Sequence, residues 1–355
     1  MSRAQLTSTV EQNSAGAAAP YVAGKNVLIN GDFAINQRNF TSTTTNATYG
    51  FDRWNIQESS NATYSLQTFT AGAAPVAGYE GKNFARIVTS GQSSASDYAA
   101  LNQRVEGVRT FAGQTVTYSF WARASSGTPN VGVTLVQNLG SGGTGGNSVI
   151  SPAIQAITTS WVRYSFVINL PSLSGKTVGT GDMLETLIFT SNGTSLSSAG
   201  YAATGVQNTT IDIWGVQLEK GSVATPFTTA SNTLQGELAL AQRYYFRQSF
   251  VAASQHFGLG QCFSSTQAYA VIPFPVTMRT APTSVETTGS AGDYILLNSA
   301  ASGVTCTAVP TFSAGWNNAG QVVATVGSGL TAGNATKLGG LNATSAAYLG
   351  WSAEL

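Results

Sequence analysis

Apolar and polar residues alternate along short segments in the first two thirds of the chain. Residues 115–125 place four apolar side chains on one side of an extended segment: Val116, Tyr118, Phe120 and Ala122. The other side carries Thr117, Ser119, Trp121 and Arg123. Because successive side chains of a strand point to opposite faces, this period of two predicts a strand with one face in a core.

The same alternation recurs farther along the chain. Residues 160–170 separate Val162, Tyr164, Phe166 and Ile168 from Trp161, Arg163, Ser165 and Val167. Residues 26–38 open with a short apolar run that predicts the entry strand of the first domain. Residues 183–191 and 209–221 predict further strands, and the Gly-rich residues 138–148 predict a flexible loop. Many short strands with turn residues between them are typical of an antiparallel sandwich, and we predict a jelly roll.

The apolar period changes after residue 230. Leu234, Leu238 and Ala241 have helical spacing, and Asn232 with Gln235 resembles a capping box, which predicts a short helix. Later apolar segments predict a second, smaller β domain: residues 269–287, 293–298, 320–328 and the C-terminal ten residues. We therefore predict an all-β protein with an N-terminal docking arm (1–24), a jelly-roll domain (25–230), and a short helix followed by a distal β domain (231–355).

Composition supports the strand-rich prediction. Charged residues make up only 9% of the 355 residues, too few to coat exposed helices. The formal net charge is +1 with no basic stripe, so nucleic acid is not an expected partner. No apolar run approaches the roughly 18 residues that a membrane span requires. Residues 1–24 lack the apolar core of a signal peptide, so we expect synthesis in a cytoplasm.

Residues 1–24 also have no core of their own, so we expect a partner subunit or a neighbouring protein to order them. Cys262 and Cys306 are too few for a disulfide framework, and both are expected to be small buried side chains.

Catalytic chemistry has little support in the sequence. The single histidine, His256, has no nucleophile elbow to serve and is expected on the surface or on an edge strand. Glycoside hydrolysis needs a carboxylate pair, and among fifteen acids a pair such as Asp182 and Glu185 stays open. We find no repeat typical of a β-helix, and predict that the chain is not an enzyme.

Two pairs of residues are candidates for binding a glycan. Trp121 with Arg123, and Trp161 with Arg163, lie off the predicted core face of their strands. Aromatic rings can stack on sugar rings while polar groups hold the hydroxyls. The alternative is that an arm, a loop or a partner subunit covers these tryptophans.

Asp212 lies in a segment whose two faces both look covered. It shares a predicted face with Trp214, Val216 and Leu218, while Ile211 and Ile213 point the other way. An ionised aspartate in that position needs an arginine, several backbone N–H donors or a metal ion.

Several segments in fixed order resemble a virion-surface protein type of tailed bacteriophages, usually called tail fibres. They are NVLINGDFAINQR (26–38), FDRW (51–54), YSFWARAS (118–125), SWVRYSF (160–166), IDIWGVQLEKGSVATPF (211–227), LALAQRYYFR (238–247), FPVTMRTAPT (274–283) and LGWSAEL (349–355). The resemblance implies a binding or structural part, often trimeric, whose first domain is similar to the jelly rolls of carbohydrate-binding modules. We expect a virion-surface homotrimer that is docked by its arm and binds host surface polysaccharide. A capsid or tail decoration protein without a receptor role is the alternative, and a glycan-degrading tailspike is a third.

In the modules that the chain resembles, a structural calcium often bridges the opening turn and the last strand. Asp32 and Asp212 occupy the corresponding places. Calcium takes six to eight oxygen ligands, and only these two acids can be named. The alternative is that Asp32 sets a turn and Asp212 forms an ion pair.

Overall fold

The computed structural model describes residues 24–59, 61–250, 255–297, 303–341 and 347–355. Apart from Gly24, the predicted arm lies outside the described residues. The chain divides into two compact units between Leu238 and Ala239, and Leu355 groups with the first unit.

The first unit contains a six-stranded antiparallel sheet, called sheet A. From one edge to the other its strands are β1 (Ser42–Thr43), β4 (Ala62–Thr68), β5 (Asn83–Thr89), β13 (Thr210–Lys220), β7 (Thr115–Ala124) and β11 (Val162–Asn169). The four strands that the alternation predicts most clearly in this unit are therefore present, three of them in this sheet and the fourth in the facing one.

A second antiparallel sheet, sheet B, has seven strands. Its order is β10 (Gln155–Ala156), β8 (Asn130–Asn138), β12 (Met183–Asn192), β6 (Tyr98–Glu106), β3 (Asn55–Glu58) and β2 (Thr48–Tyr49), with β9 (Ser148–Ile150) also paired to β8. From β5 to β13 the chain passes back and forth between sheets A and B. That alternation is the connectivity of a jelly-roll sandwich, as predicted.

The core lies between the two sheets. The four apolar residues that were predicted to face it from β7 have no exposed surface: Val116, Tyr118, Phe120 and Ala122. Tyr164, Phe166 and Ile168 of β11 join the same cluster. The period-two prediction is therefore confirmed for β7, and for β11 it holds except at Val162, which is 41% exposed at the start of the strand.

Residues 26–38, which the apolar run suggested as the first strand, form a series of turns instead. Asn30 and Phe33 have φ angles of 59° and 55°, which no strand contains. The segment nevertheless bonds to β13, because the Val27 amide donates to the Leu218 carbonyl at 3.1 Å and the Val216 amide to the Gly31 carbonyl at 2.8 Å. A Cβ at Gly31 would lie 2.1 Å from the Val216 oxygen, so only glycine allows this approach.

Two α-helices are described, α1 (Thr194–Ser197) and α2 (Leu234–Gln242). The predicted cap of α2 was misplaced by one residue. Asn232 has a φ of 63°, and it is the Thr233 hydroxyl that accepts the Gly236 amide at 3.0 Å. No described helix is long and apolar enough to cross a membrane.

The second unit is also built of strands. Six of them close into a barrel: β15 (His256–Cys262), β16 (Gln267–Pro273), β20 (Ala319–Val326), β19 (Gly303–Trp316), β18 (Tyr294–Leu297) and β21 (Ala335–Gly340). A three-stranded sheet contains β14 (Tyr245–Ser249), β22 (Tyr348–Ser352) and β17 (Glu286–Thr287). A short 3₁₀-helix, Ala291–Asp293, precedes β18.

The two cysteines lie in the core of the second unit, as predicted, and both are free thiols. Burial raises the pKa of the Cys306 thiol to about 12. His256 is half-buried on β15, where burial and then the nearby Lys337 charge lower its pKa.

Candidate functional site

A bulge in β13 determines which of its side chains leave the core. Against β7 the register of β13 shifts between Trp214 and Gln217, and Gly215 has a φ of 64°. Strict alternation had predicted that Asp212 and Trp214 share a face with Val216 and Leu218. The bulge reverses the phase, so Val216 and Leu218 lie in the core while Asp212 and Trp214 lie on the outer face of sheet A.

Trp121 of β7 packs on this bulge. Its ring centroid lies 5.4 Å from that of Trp214 and 6.2 Å from that of Phe227. Trp214 is fully buried and Phe227 nearly so, whereas Trp121 is half-buried. The bulge therefore supports one side of a tryptophan whose remaining surface reaches solvent.

Asp212 holds two arginines from the neighbouring strands. Arg86 on β5 donates from Nε to Oδ1 at 2.7 Å and from Nη2 to Oδ2 at 3.0 Å. Arg123 on β7 donates from Nε to Oδ2 at 2.9 Å. The Asp212 side chain is only 5% exposed, while those of Arg86 and Arg123 are 33% and 36% exposed. Of the three partners that the sequence left open for this aspartate, the structure shows arginine.

The second predicted pair comes from the neighbouring edge strand. Arg163 of β11 lies directly opposite Trp121, and its guanidinium carbon is 4.6 Å from the centroid of that ring. Its Nη2 donates to the Ser119 hydroxyl at 3.0 Å. Burial lowers the pKa of Arg163, and the charge of Glu219 partly opposes that effect.

Trp161 directly precedes β11 and completes the arrangement. The guanidinium carbon of Arg123 lies 5.0 Å from the Trp161 ring centroid, within the range of a cation–π contact. Trp161 is half-buried and touches Phe69 and Phe84 at centroid distances of 5.6 and 5.5 Å. The four residues that were predicted as glycan-binding candidates are therefore neighbours on one surface. Together with Arg86 and Asp212 they form what is called here the arginine–tryptophan face: Arg86, Trp121, Arg123, Trp161, Arg163 and Asp212.

The packing alternative is realised for part of each tryptophan, and the ligand alternative stays a prediction. Loop residues Phe69, Val76 and Tyr79 pack against the same aromatic cluster as the two tryptophans, which is the packing role. The outer parts of Trp121 and Trp161 stay half-exposed beside guanidinium groups, which leaves a surface for a ligand. Arg86 was not among the predicted site residues, because only the pairing of β5 with β13 brings it opposite Asp212.

Asp32 lies in a separate cleft of about 450 Å³, lined by residues that include Tyr79, Lys82, Thr229 and Glu237. The Tyr79 hydroxyl donates to its Oδ2 at 2.8 Å, and the Ala34 amide to its Oδ1 at 3.4 Å, a turn contact. Burial raises the pKa of Asp32. Glu237 accepts hydrogen bonds from the amides of Asn30 and Ser231 at 2.5 and 3.1 Å.

These contacts correct the predicted calcium pair of Asp32 and Asp212. Both oxygens of Asp212 already accept from guanidinium groups, so this carboxylate is not available to a cation shared with Asp32. Across the described ranges, no group of three or more His, Cys, Asp and Glu side chains is arranged to hold a metal ion. The structure replaces the second ligand of the predicted site with an ion pair.

Solved structures that are similar to this chain include carbohydrate-binding modules. The chain is similar to the C-terminal family 22 carbohydrate-binding module of Xyn10B from Clostridium thermocellum, at 15% identity and a TM-score of 0.35, over 57% of this chain and 99% of that one. It is also similar to the CBM22-2 xylan-binding domain of Xyn10C from Paenibacillus barcinonensis, at 16% identity and a TM-score of 0.32, over 50% of this chain and 100% of that one.

A phage protein is also similar to part of this chain. The enzymatically active domain of tailspike protein 4 from bacteriophage CBA120 matches at 13% identity and a TM-score of 0.33, over 56% of this chain and 22% of that one. No protein-family model matches the sequence, and no curated protein matches it. At such identities and TM-scores we take the fold from the strand order itself, and the function from the geometry of the face.

Proposed function

We propose that the protein is a non-enzymatic structural component of a bacteriophage virion, and that it binds a host cell-surface glycan through the arginine–tryptophan face. The observation that carries the proposal is the pairing of two half-exposed tryptophans with guanidinium groups on one sheet surface. Arg123 lies over Trp161, and Arg163 lies over Trp121.

The chemistry of the face suits a sugar. A tryptophan ring offers a flat apolar surface for the C–H side of a pyranose, and fixed N–H donors beside it hold the hydroxyls. The Asp212 pairs fix Arg86 and Arg123 before any ligand arrives, which lowers the entropy cost of binding. Sheet strands, which hold side chains more rigidly than loops, supply all six residues or lie next to them.

The place of the protein on a virion is supported by the sequence resemblance. The segments from NVLINGDFAINQR to LGWSAEL keep their order over nearly the whole chain. In this proposal the chain forms a homotrimer on the virion surface, and residues 1–24 dock it to another virion protein. Sedimentation equilibrium of the full chain tests the trimer directly.

A glycan array with the full-length protein tests the binding role. Trp161→Ala removes one of the two half-buried rings of the face. Trp316→Ala is the control, because it removes a tryptophan that is 48% exposed in the second unit. We expect the wild type and the control to retain host surface glycans. Trp161→Ala should bind about tenfold more weakly, the change that about 1.4 kcal/mol of binding free energy produces.

Equal binding by both variants would place the glycan elsewhere and overturn the assignment of the face. No glycan retained by the wild type, together with normal adsorption of a virion that lacks the protein, would favour the decoration alternative. Release of reducing sugar from host polysaccharide by the purified protein would overturn its non-enzymatic character.

A further inference from the structure

Positive charge is concentrated on the arginine–tryptophan face. The whole chain has a formal net charge of +1, yet the face contains the three guanidinium groups of Arg86, Arg123 and Arg163 against the one carboxylate of Asp212. Glu219 is the carboxylate whose charge influences Arg163. It is fully buried and pairs with Lys25 at 3.5 Å. The face therefore has a positive balance in a chain that is otherwise nearly neutral.

Arg123 has N–H donors that no described residue accepts from. It binds Asp212 through Nε alone, at 2.9 Å, and its side chain is 36% exposed. An arginine has five N–H donors, and among the described residues the two terminal nitrogens of Arg123 have no hydrogen-bond partner. Arg86 differs, because it uses both Nε and Nη2 on the same carboxylate.

The free end of Arg123 has the geometry that matches an anionic oxygen pair. Two terminal N–H groups of a guanidinium form parallel hydrogen bonds to a carboxylate or a sulfate. The hydrogen bond to Asp212 fixes the Nε end of the Arg123 guanidinium. The two terminal nitrogens, called here the free fork, therefore have a defined direction. The half-exposed ring of Trp161 lies beside it, 5.0 Å from the guanidinium carbon.

We propose, on the basis of the proposed function, that the glycan is acidic: its carboxylate or sulfate group binds the free fork of Arg123 while the sugar ring lies against Trp161. Arg86 and Arg163 add a favourable field on either side of that group. Asp212 has one negative charge against the two positive charges of Arg86 and Arg123, so a neutral sugar would leave a net positive charge in the complex, at a cost in affinity.

Two substitutions at Arg123 and one control test this proposal. Arg123→Gln removes the fork and the charge, while Arg123→Lys retains the charge and can retain the pair with Asp212 without the fork. The control, Arg109→Gln, removes an exposed positive charge from the same unit away from the face. Circular-dichroism melts check each variant, and Arg123→Lys keeps the test available if Arg123→Gln does not fold.

The probes are an array of acidic and neutral glycans, then oligogalacturonate with its carboxyl-reduced form and heparin oligosaccharides with their desulfated form. We expect the retained glycans to be acidic. Their affinity should fall about tenfold after carboxyl reduction or after desulfation. The treatment that lowers the affinity identifies the bound group as a carboxylate or a sulfate. Arg123→Gln should lower the affinity for the acidic glycan by a similar factor, and Arg123→Lys by a smaller one. Arg109→Gln should leave the affinity unchanged.

If the retained glycans are neutral and Arg123→Gln binds them like the wild type, the acidic group is excluded while the proposed function stands. If the wild type retains no glycan, acidic or neutral, the proposed function fails as well.

Discussion

The backbone of Gly215 lies directly against the indole ring of Trp121. A Cβ added at Gly215 would be 2.7 Å from Cε3 of that ring, closer than real side chains approach. The same glycine has a φ of 64° and forms the bulge that turns Asp212 and Trp214 to the outer face. Gly215 therefore determines both the face on which each β13 side chain lies and the position of the Trp121 ring.

Gly215→Ala should destabilise the first unit and displace Trp121. A left-handed backbone costs a residue with a Cβ about 1–2 kcal/mol, and the clash with the ring adds to this. Gly127→Ala is the control, since Gly127 has a φ of 66° but nothing within 4 Å of its added Cβ. Urea unfolding should show a larger loss for Gly215→Ala, and tryptophan fluorescence should change only there. Equal losses of unfolding free energy in Gly215→Ala and Gly127→Ala would mean that the Trp121 ring moves aside without cost.

Asp212→Asn should weaken the fold, because it leaves two arginines without their carboxylate. We expect a loss of about 2 kcal/mol in the free energy of unfolding, reduced from a fully buried pair because both guanidinium groups are one-third exposed. Glu80→Gln, a change at an exposed acid of the same unit, should stay within about 0.5 kcal/mol.

Adding Arg86→Gln to Asp212→Asn should restore part of the loss, since one guanidinium no longer lacks a partner. Purely additive losses in this double-mutant cycle would contradict the ion-pair role of Asp212.

Asp32 should make the stability of the first unit depend on pH. Burial raises its pKa above the ordinary 3.8, so the folded state binds the proton more tightly than the unfolded state. The free energy of unfolding should therefore fall as pH rises from about 3.8 through the higher folded pKa, and then level off. Asp32→Asn cannot ionise, so its stability relative to the wild type should rise over that range in urea titrations.

Tyr79→Phe provides the converse test of the same carboxyl group. The Tyr79 hydroxyl lowers the pKa of Asp32, and its removal should raise that pKa and extend the fall in stability to higher pH. Asp32→Asn should also lower the pKa of Glu237, which the Asp32 charge raises after the larger effect of burial. If the free energy of unfolding depends on pH identically in the wild type and in Asp32→Asn, groups other than Asp32 determine that dependence.

A chelator should leave the melting temperature unchanged. The reason is that Asp212 uses both carboxylate oxygens on arginines rather than on a cation. Differential scanning calorimetry with and without excess EDTA measures this, with added calcium chloride as the reverse arm. A drop of more than about 2 °C that calcium reverses would restore the calcium hypothesis.

Sequence patterns predicted the strands with one buried face best. In β7 and β11 the alternation of apolar and polar residues indicates which face each residue occupies. Tyr118 and Phe120 could therefore be assigned to the core and Trp121 to the outer face without knowledge of the partner strand. The same reasoning failed for residues 26–38, because the apolar run there packs through turns against β13 rather than pairing along its length. It also missed the phase change at Gly215, since a bulge depends on the strand beside it.

The sequence by itself determined the all-β class, the alternation that builds the sandwich, and the outward direction of Trp121, Arg123, Trp161 and Arg163. These follow from local periodicity, which needs no knowledge of distant residues. Only the tertiary structure decided the partners of Asp212, because Arg86 and Arg123 lie 126 and 89 residues away in the chain. Strand pairing, not sequence spacing, sets which charges meet, and here it gives Asp212 two arginines. It leaves the terminal nitrogens of Arg123 without a hydrogen-bond partner among the described residues.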